Sequence, residues 1–116
     1  MLQVTWSKCG GGSWCPLANV DLSGVREVGV YIIWHPGSPS RVVRIGQGVI
    51  ANRLSEHRND RVITQYASHG PLSVTWAAVP AHQMDGVERY LADKWNPLVG
   101  DAFPDAVPIE VNSPWG

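Results

Sequence analysis

Tyr31, Arg44, Arg53 and His57 lie within one stretch, VGVYIIWHPGSPSRVVRIGQGVIANRLSEH, which runs from Val28 to His57 and also holds His35 and Arg41. A phenol and an imidazole can pass a proton between them, and guanidinium groups hold anions. One carboxylate, Glu88, stands later in the chain and would have to complete any site. A lone carboxylate suits magnesium, which keeps much of its water when a protein binds it. These are the parts needed to activate water and to stabilise charge developing on phosphate oxygens. Each part also has an ordinary structural use. A strand tyrosine is commonly a half-buried aromatic, and an Arg–His stripe is commonly a solvated helix face. Asp85-x-x-Glu88 is an Asp-first form of the capping box, in which Glu88 would satisfy a backbone N–H.

The elements that would position these groups follow from pattern. Residues 28–34 (VGVYIIW) are β-branched and aromatic and predict a strand. Alternation puts Val28, Val30, Ile32 and Trp34 on one face, with Gly29, Tyr31 and Ile33 on the other. The turn HPGSPS leads to a second strand over 41–46, its antiparallel hairpin partner. Strict alternation there pairs Val43 with Ile45 on one face and Arg44 with Val42 on the other. Gly46-Gln47-Gly48 ends this strand. A helix over about 49–57 sets Val49, Arg53 and His57 on one stripe beside Ile50 and Leu54. Residues 62–71 read as connecting chain. A third strand covers 72–79, and a second helix runs from about Met84, or a little earlier, to Trp95, with Pro97 as its stop.

The chain has 116 residues, 44% hydrophobic and 16% charged, which predicts one folded domain. Its formal net charge is −1, so no global field draws it to a polyanion. The charge is nonetheless divided. Arg41, Arg44, Arg53, Arg58 and Arg61 outnumber Glu56 and Asp60, whereas residues 85–110 are mainly acidic. A basic region on a polar molecule fits a phosphate-facing surface. No run of about 18 apolar residues predicts a transmembrane helix, and no signal peptide is visible. Cytoplasm is the expected compartment.

Residues 1–27 read as an irregular extension and 101–116 as a Pro-rich tail packed on the domain. Cys9 and Cys15 flank the run Gly10-Gly11-Gly12. Two small, partly buried thiols are the expected state. A metal pair completed by histidines and a disulfide across the loop are the alternatives.

The order strand, strand, helix, strand, helix, with Gly29-Val30-Tyr31 in the first strand, resembles the GIY-YIG nuclease domain over residues 28–100. Arg44-Ile45-Gly46 stands where the family's second tripeptide belongs. Gln47 and the run Arg53-Leu54-Ser55-Glu56-His57 resemble its Arg-Leu-x-x-His helix. Glu88, Leu91 and Pro97 resemble its Glu-x-x-Leu…Pro segment. The resemblance implies an α+β fold, a small three-stranded antiparallel sheet flanked by helices. It also implies hydrolysis of phosphodiester bonds in DNA or RNA, assisted by one Mg²⁺ or Mn²⁺ on Glu88. Tyr31, Arg53, His57 and Glu88 would then be catalytic; the local excess of arginines adds Arg44, Arg41 and Arg58 as substrate-binding residues. Two positions depart from the pattern: Arg44 replaces a tyrosine, and Gly100 stands where the family usually has an asparagine. The spacing from Gly46 to Arg53 is also about one residue short. An inactive nucleic-acid-binding module on the same fold is the alternative that these departures motivate. A protein-interaction domain using its Trp and Pro residues is a third. Specificity would come from loops, a homodimer or a fused partner.

Overall fold

In the computed structural model, which describes residues 1–100 and 102–116, the chain is α+β. Strands β1 (Cys15–Pro16), β2 (Val28–His35), β3 (Arg41–Val49) and β4 (Ser73–Ala78) make one sheet, ordered β1-β4-β2-β3. All its pairings are antiparallel. Helices α1 (Ile50–His57), α2 (Arg61–Thr64) and α3 (Ala81–Trp95) complete it. The sheet has four strands rather than three because the two-residue β1 pairs Cys15 with Val74 and Pro16 with Ser73. Among the described residues, no helix is long and apolar enough to cross a membrane.

β2 has neighbours on both edges and is covered on both faces, as its unbroken apolar run requires. Tyr31 and Ile33 pack with Val43, Ile50, Leu54 and Ile63, under α1 and α2. Val30, Ile32 and Trp34 pack with Val42, Ile45, Val87 and Leu91, against α3. The alternation expected for β2 is therefore the one observed. The alternation expected for β3 is not. Ile33 pairs with Arg44 and Trp34 with Val42, so Val43 is an extra, unpaired residue. This bulge turns Val43 to the face that Arg44 shares with Tyr31, and puts Val42 with Ile45 on the other. β3 also continues through Gly46-Gln47-Gly48 to Val49, and α1 follows without a loop.

The stretch expected as plain connecting chain holds α2 and a 3₁₀ turn over Gln65–His69. Asp60 starts α2, accepting from the Val62 N–H at 3.0 Å. α3 ends where Asn96 takes the left-handed conformation, φ 48°, before Pro97. Leu98 and Val99 then donate to the Val42 and Val43 carbonyls at 3.1 and 2.8 Å, covering part of the free edge of β3.

The N-terminal residues belong to the core rather than to an extension. Cys15, Leu17 and Val20 are buried with Tyr31. A disulfide joins Cys9 to Cys15, in place of the two thiols expected. The termini are tied together: Leu2 bridges to Val111, and the Asn112 amide both donates to and accepts from the Val4 backbone. Asp101, which opens the expected tail, lies outside the described residues.

Candidate active site at the sheet edge

Tyr31 sits in the middle of β2 on the α1 face, directly opposite Gly46 of β3. The phenol lies across Gly46, and a Cβ there would overlap its oxygen. Glycine at 46 therefore makes room for the tyrosine. The Tyr31 Oη lies 2.5 Å from His57 Nε2. α1 brings the imidazole there because Ile50 and Leu54 anchor its apolar stripe in the core, which leaves Arg53 and His57 on the adjoining stripe.

Arg44 lies on the same face by regular alternation, two residues before Gly46 and opposite Ile33. Its Nε is buried with no hydrogen-bond partner among the described residues. Its guanidinium fills the space beside Gly100, where a Cβ would come 2.5 Å from one terminal nitrogen. Gly100 has φ +109°, a conformation that other residues rarely adopt. The two departures from the family pattern are thus neighbours in space. The arginine occupies the volume that a side chain at 100 would claim.

Glu88 reaches the same place from α3, the third element. It is 7% exposed and forms no ion pair within 4 Å among the described residues. The capping-box reading does not survive. α3 begins at Ala81, four residues before Asp85, and the Asp85 carboxylate accepts from Gln47 Nε2 at 2.7 Å. Tyr31, Arg44, Gln47, Arg53, His57 and Glu88 surround one open cavity of about 200 Å³.

The electrostatics follow from partial burial among cations. Burial pushes the Tyr31 phenol above its ordinary range, although Arg44 and Arg53 pull it down. Burial lowers His57, and the nearby Arg44 charge lowers it further. Burial raises the Glu88 carboxyl, helped by the Asp85 charge and opposed by Gln47 and Arg44. At neutral pH the resting pair is therefore a phenol beside a neutral imidazole. In the tautomer with its proton on Nδ1, His57 accepts from Tyr31. Among the described residues Arg53 pairs only with Glu56, at 3.6 Å on an exposed face. That contact is worth about 0–1 kcal/mol, so an anion in the cavity competes for Arg53 easily.

Two arginines expected at the site are elsewhere. Arg58 donates from Nε to the Leu17 carbonyl at 3.1 Å and from a terminal nitrogen to the Val20 carbonyl at 2.8 Å. It ties α1 to the N-terminal segment. Arg41 opens β3, opposite His35, and lines a different cavity with Trp34, Trp95 and Trp115. Gln47 lines the site with no role foreseen for it, because its partner Asp85 is distant in sequence.

Among the described residues, no group of three His, Cys, Asp or Glu could cage a metal ion. The donor set fits a different kind of site. A nearly buried carboxylate without a cationic partner at contact distance can hold a cation that keeps most of its own water, as Mg²⁺ does.

No family model, curated protein or solved structure matches this chain.

Proposed function

We propose that this chain is a divergent GIY-YIG-like nuclease that hydrolyses phosphodiester bonds in DNA or RNA. One observation carries the reading. Tyr31, His57, Arg53, Arg44 and Glu88, from two strands and two helices, face one open cavity. A water molecule in that cavity gives a proton to the Tyr31 oxygen while the Tyr31 proton passes to His57 Nε2. The hydroxide oxygen bonds to phosphorus, and the bond from phosphorus to the leaving ester oxygen breaks. That oxygen takes its proton from solvent, and the imidazolium later returns the borrowed one. Arg44 and Arg53 oppose the charge that builds on the phosphate oxygens. Glu88 would hold the cation, and Mg²⁺ or Mn²⁺ there would supply further charge neutralisation. The neutral His57 matters because only an unprotonated imidazole can accept the proton.

Labelled single-stranded and duplex DNA and RNA, incubated with Mg²⁺ or Mn²⁺, test this. Cleavage is expected on at least one substrate, with Glu88→Ala reducing it by about 10²- to 10³-fold or more. Intact substrates throughout would overturn it.

The second reading, a module that binds nucleic acid without cutting it, is favoured by Arg44 itself. A guanidinium stands beside Tyr31 and Gly100 where the family pattern has a phenol and an amide. It cannot act as a base, because its pKa lies above ~12. This reading predicts salt-dependent binding that survives Glu88→Ala, with no metal-dependent product.

A further inference from the structure

Gln47 lines the cavity of Tyr31 and Glu88 but takes no part in proton transfer or phosphate binding. It stands on β3, the edge strand, between two glycines. Gly46 gives way to the Tyr31 phenol, and a Cβ on Gly48, whose φ is +132°, would come 2.9 Å from Arg53 Nε. Tyr31, Arg44 and Arg53 thus crowd one face of β3. Gln47 projects from the other, because its pairing with Val30 turns it to the α3 face. There its Nε2 donates to the Asp85 carboxylate at 2.7 Å. Asp85 and Glu88 are three residues apart on α3 and lie on one side of it. Gln47 therefore ties the turn of α3 that carries Glu88 to the strand that supports Tyr31.

Charge adds a second reason for this contact. Arg44 and Arg53 line the cavity, and Glu88 is the one carboxylate lining it among the described residues. Two guanidinium groups facing one carboxylate make a poor place for a divalent cation. Asp85, one turn of helix away, evens the count, and it has no ion pair among the described residues. A lysine or arginine at 47 could hold Asp85 equally well, but it would bring a third positive charge. A glutamine amide donates to a carboxylate without carrying charge. It fixes Asp85 and leaves the negative charge of both carboxylates to act on a metal.

We propose that Gln47 and Asp85 are positioning residues for a divalent cation held on Glu88, the amide fixing the α3 turn against β3 and Asp85 supplying the second negative charge. The proposal rests on the cation that the nuclease reading assigns to Glu88. Groups that orient a metal's ligand commonly govern its affinity by about 10- to 100-fold.

The test is Mn²⁺ binding with no nucleic acid present, read from the loss of the free-ion signal in electron paramagnetic resonance as protein is added. The native protein is expected to bind Mn²⁺, and Glu88→Ala to lose that binding. Gln47→Ala and Asp85→Asn should each weaken it by about 10- to 100-fold. Gln47→Lys, which puts a positive charge where the neutral amide stood, should abolish it. Melting curves accompany each variant. A role in packing alone would lower the melting temperature and leave the Mn²⁺ affinity of the folded protein as it was. That result, native affinity in Gln47→Lys, or a native protein that takes up no Mn²⁺ at millimolar concentration would overturn the proposal. The two claims fail separately. A protein that cuts with Mg²⁺ and binds Mn²⁺ equally well without Gln47 and Asp85 loses only these positioning roles. Mn²⁺ binding that depends on both residues, in a protein that cuts nothing, removes only the hydrolysis.

Discussion

A nearly buried carboxylate without a cationic partner at contact distance is a poor way to stabilise a fold, and Glu88 forms no ion pair among the described residues. Its raised pKa fixes the sign of its effect. The folded protein holds the Glu88 proton more tightly than the unfolded chain does. The residue therefore favours folding most below its unfolded value, about 4.3, and this is lost as pH rises through the folded value. Glu88→Gln should accordingly raise the melting temperature at pH 7 while removing activity, a result that calorimetry and a cleavage assay read together. His57 works in the opposite sense. Its lowered pKa means that stability is lost as pH falls below about 6.5, the unfolded value. The rate should rise with pH through the depressed His57 value and level off near neutrality. A rate profile with its acid limb above pH 6.5 would contradict the neutral-imidazole pair. Gly46→Ala should push the Tyr31 phenol off its perch, costing about 1–3 kcal/mol and, with the Tyr31–His57 contact broken, most of the activity. Melting curves and initial rates check both effects.

Among the elements, β3 decides what the site contains. Its regular pairing from Arg44 to Gly46 sets Arg44 on the Tyr31 face, its bulge turns Val43 to that face as well, and its continuation through Gly46 gives the phenol a floor. The Val43 bulge could not be read from a pattern of two valines between two arginines, since either register satisfies the apolar count. The fold around it was easier to read. The faces of β2, the stripe of α1 and the stop of α3 at Pro97 all follow from local spacing. α2 escaped notice although Asp60 is an ordinary N-cap, because four residues are too few to show a helical period. On charge alone Arg58 reads as a substrate contact, yet its two carbonyl contacts to the N-terminal segment make it a tie between elements. Arg58→Ala should cost about 1–3 kcal/mol of stability and leave the salt dependence of polynucleotide binding unchanged. Arg44→Ala should reduce that salt slope by about 1. Urea melts and salt titrations of binding distinguish the two arginines.

For the whole molecule, both ends of the chain contribute to one core, and that was the least readable part. Nothing local to Val4 or Asn112 announces that they meet, and five residues between Cys9 and Cys15 suit thiols as well as a bridge. Opening the loop with a Cys9→Ser and Cys15→Ser pair should cost about 2 kcal/mol, the chain-entropy value for so short a loop. Unfolding curves with and without reductant give the same answer if the bridge is the cause. The most direct measurement is the cleavage of end-labelled DNA and RNA with Mg²⁺ by the native protein, Tyr31→Phe and Glu88→Gln, each first shown to be folded. Product from the native protein, with a loss of about 10²-fold or more in both variants, is the expected result. An inert native protein, or a Tyr31→Phe protein that cuts at the native rate, would contradict the site described.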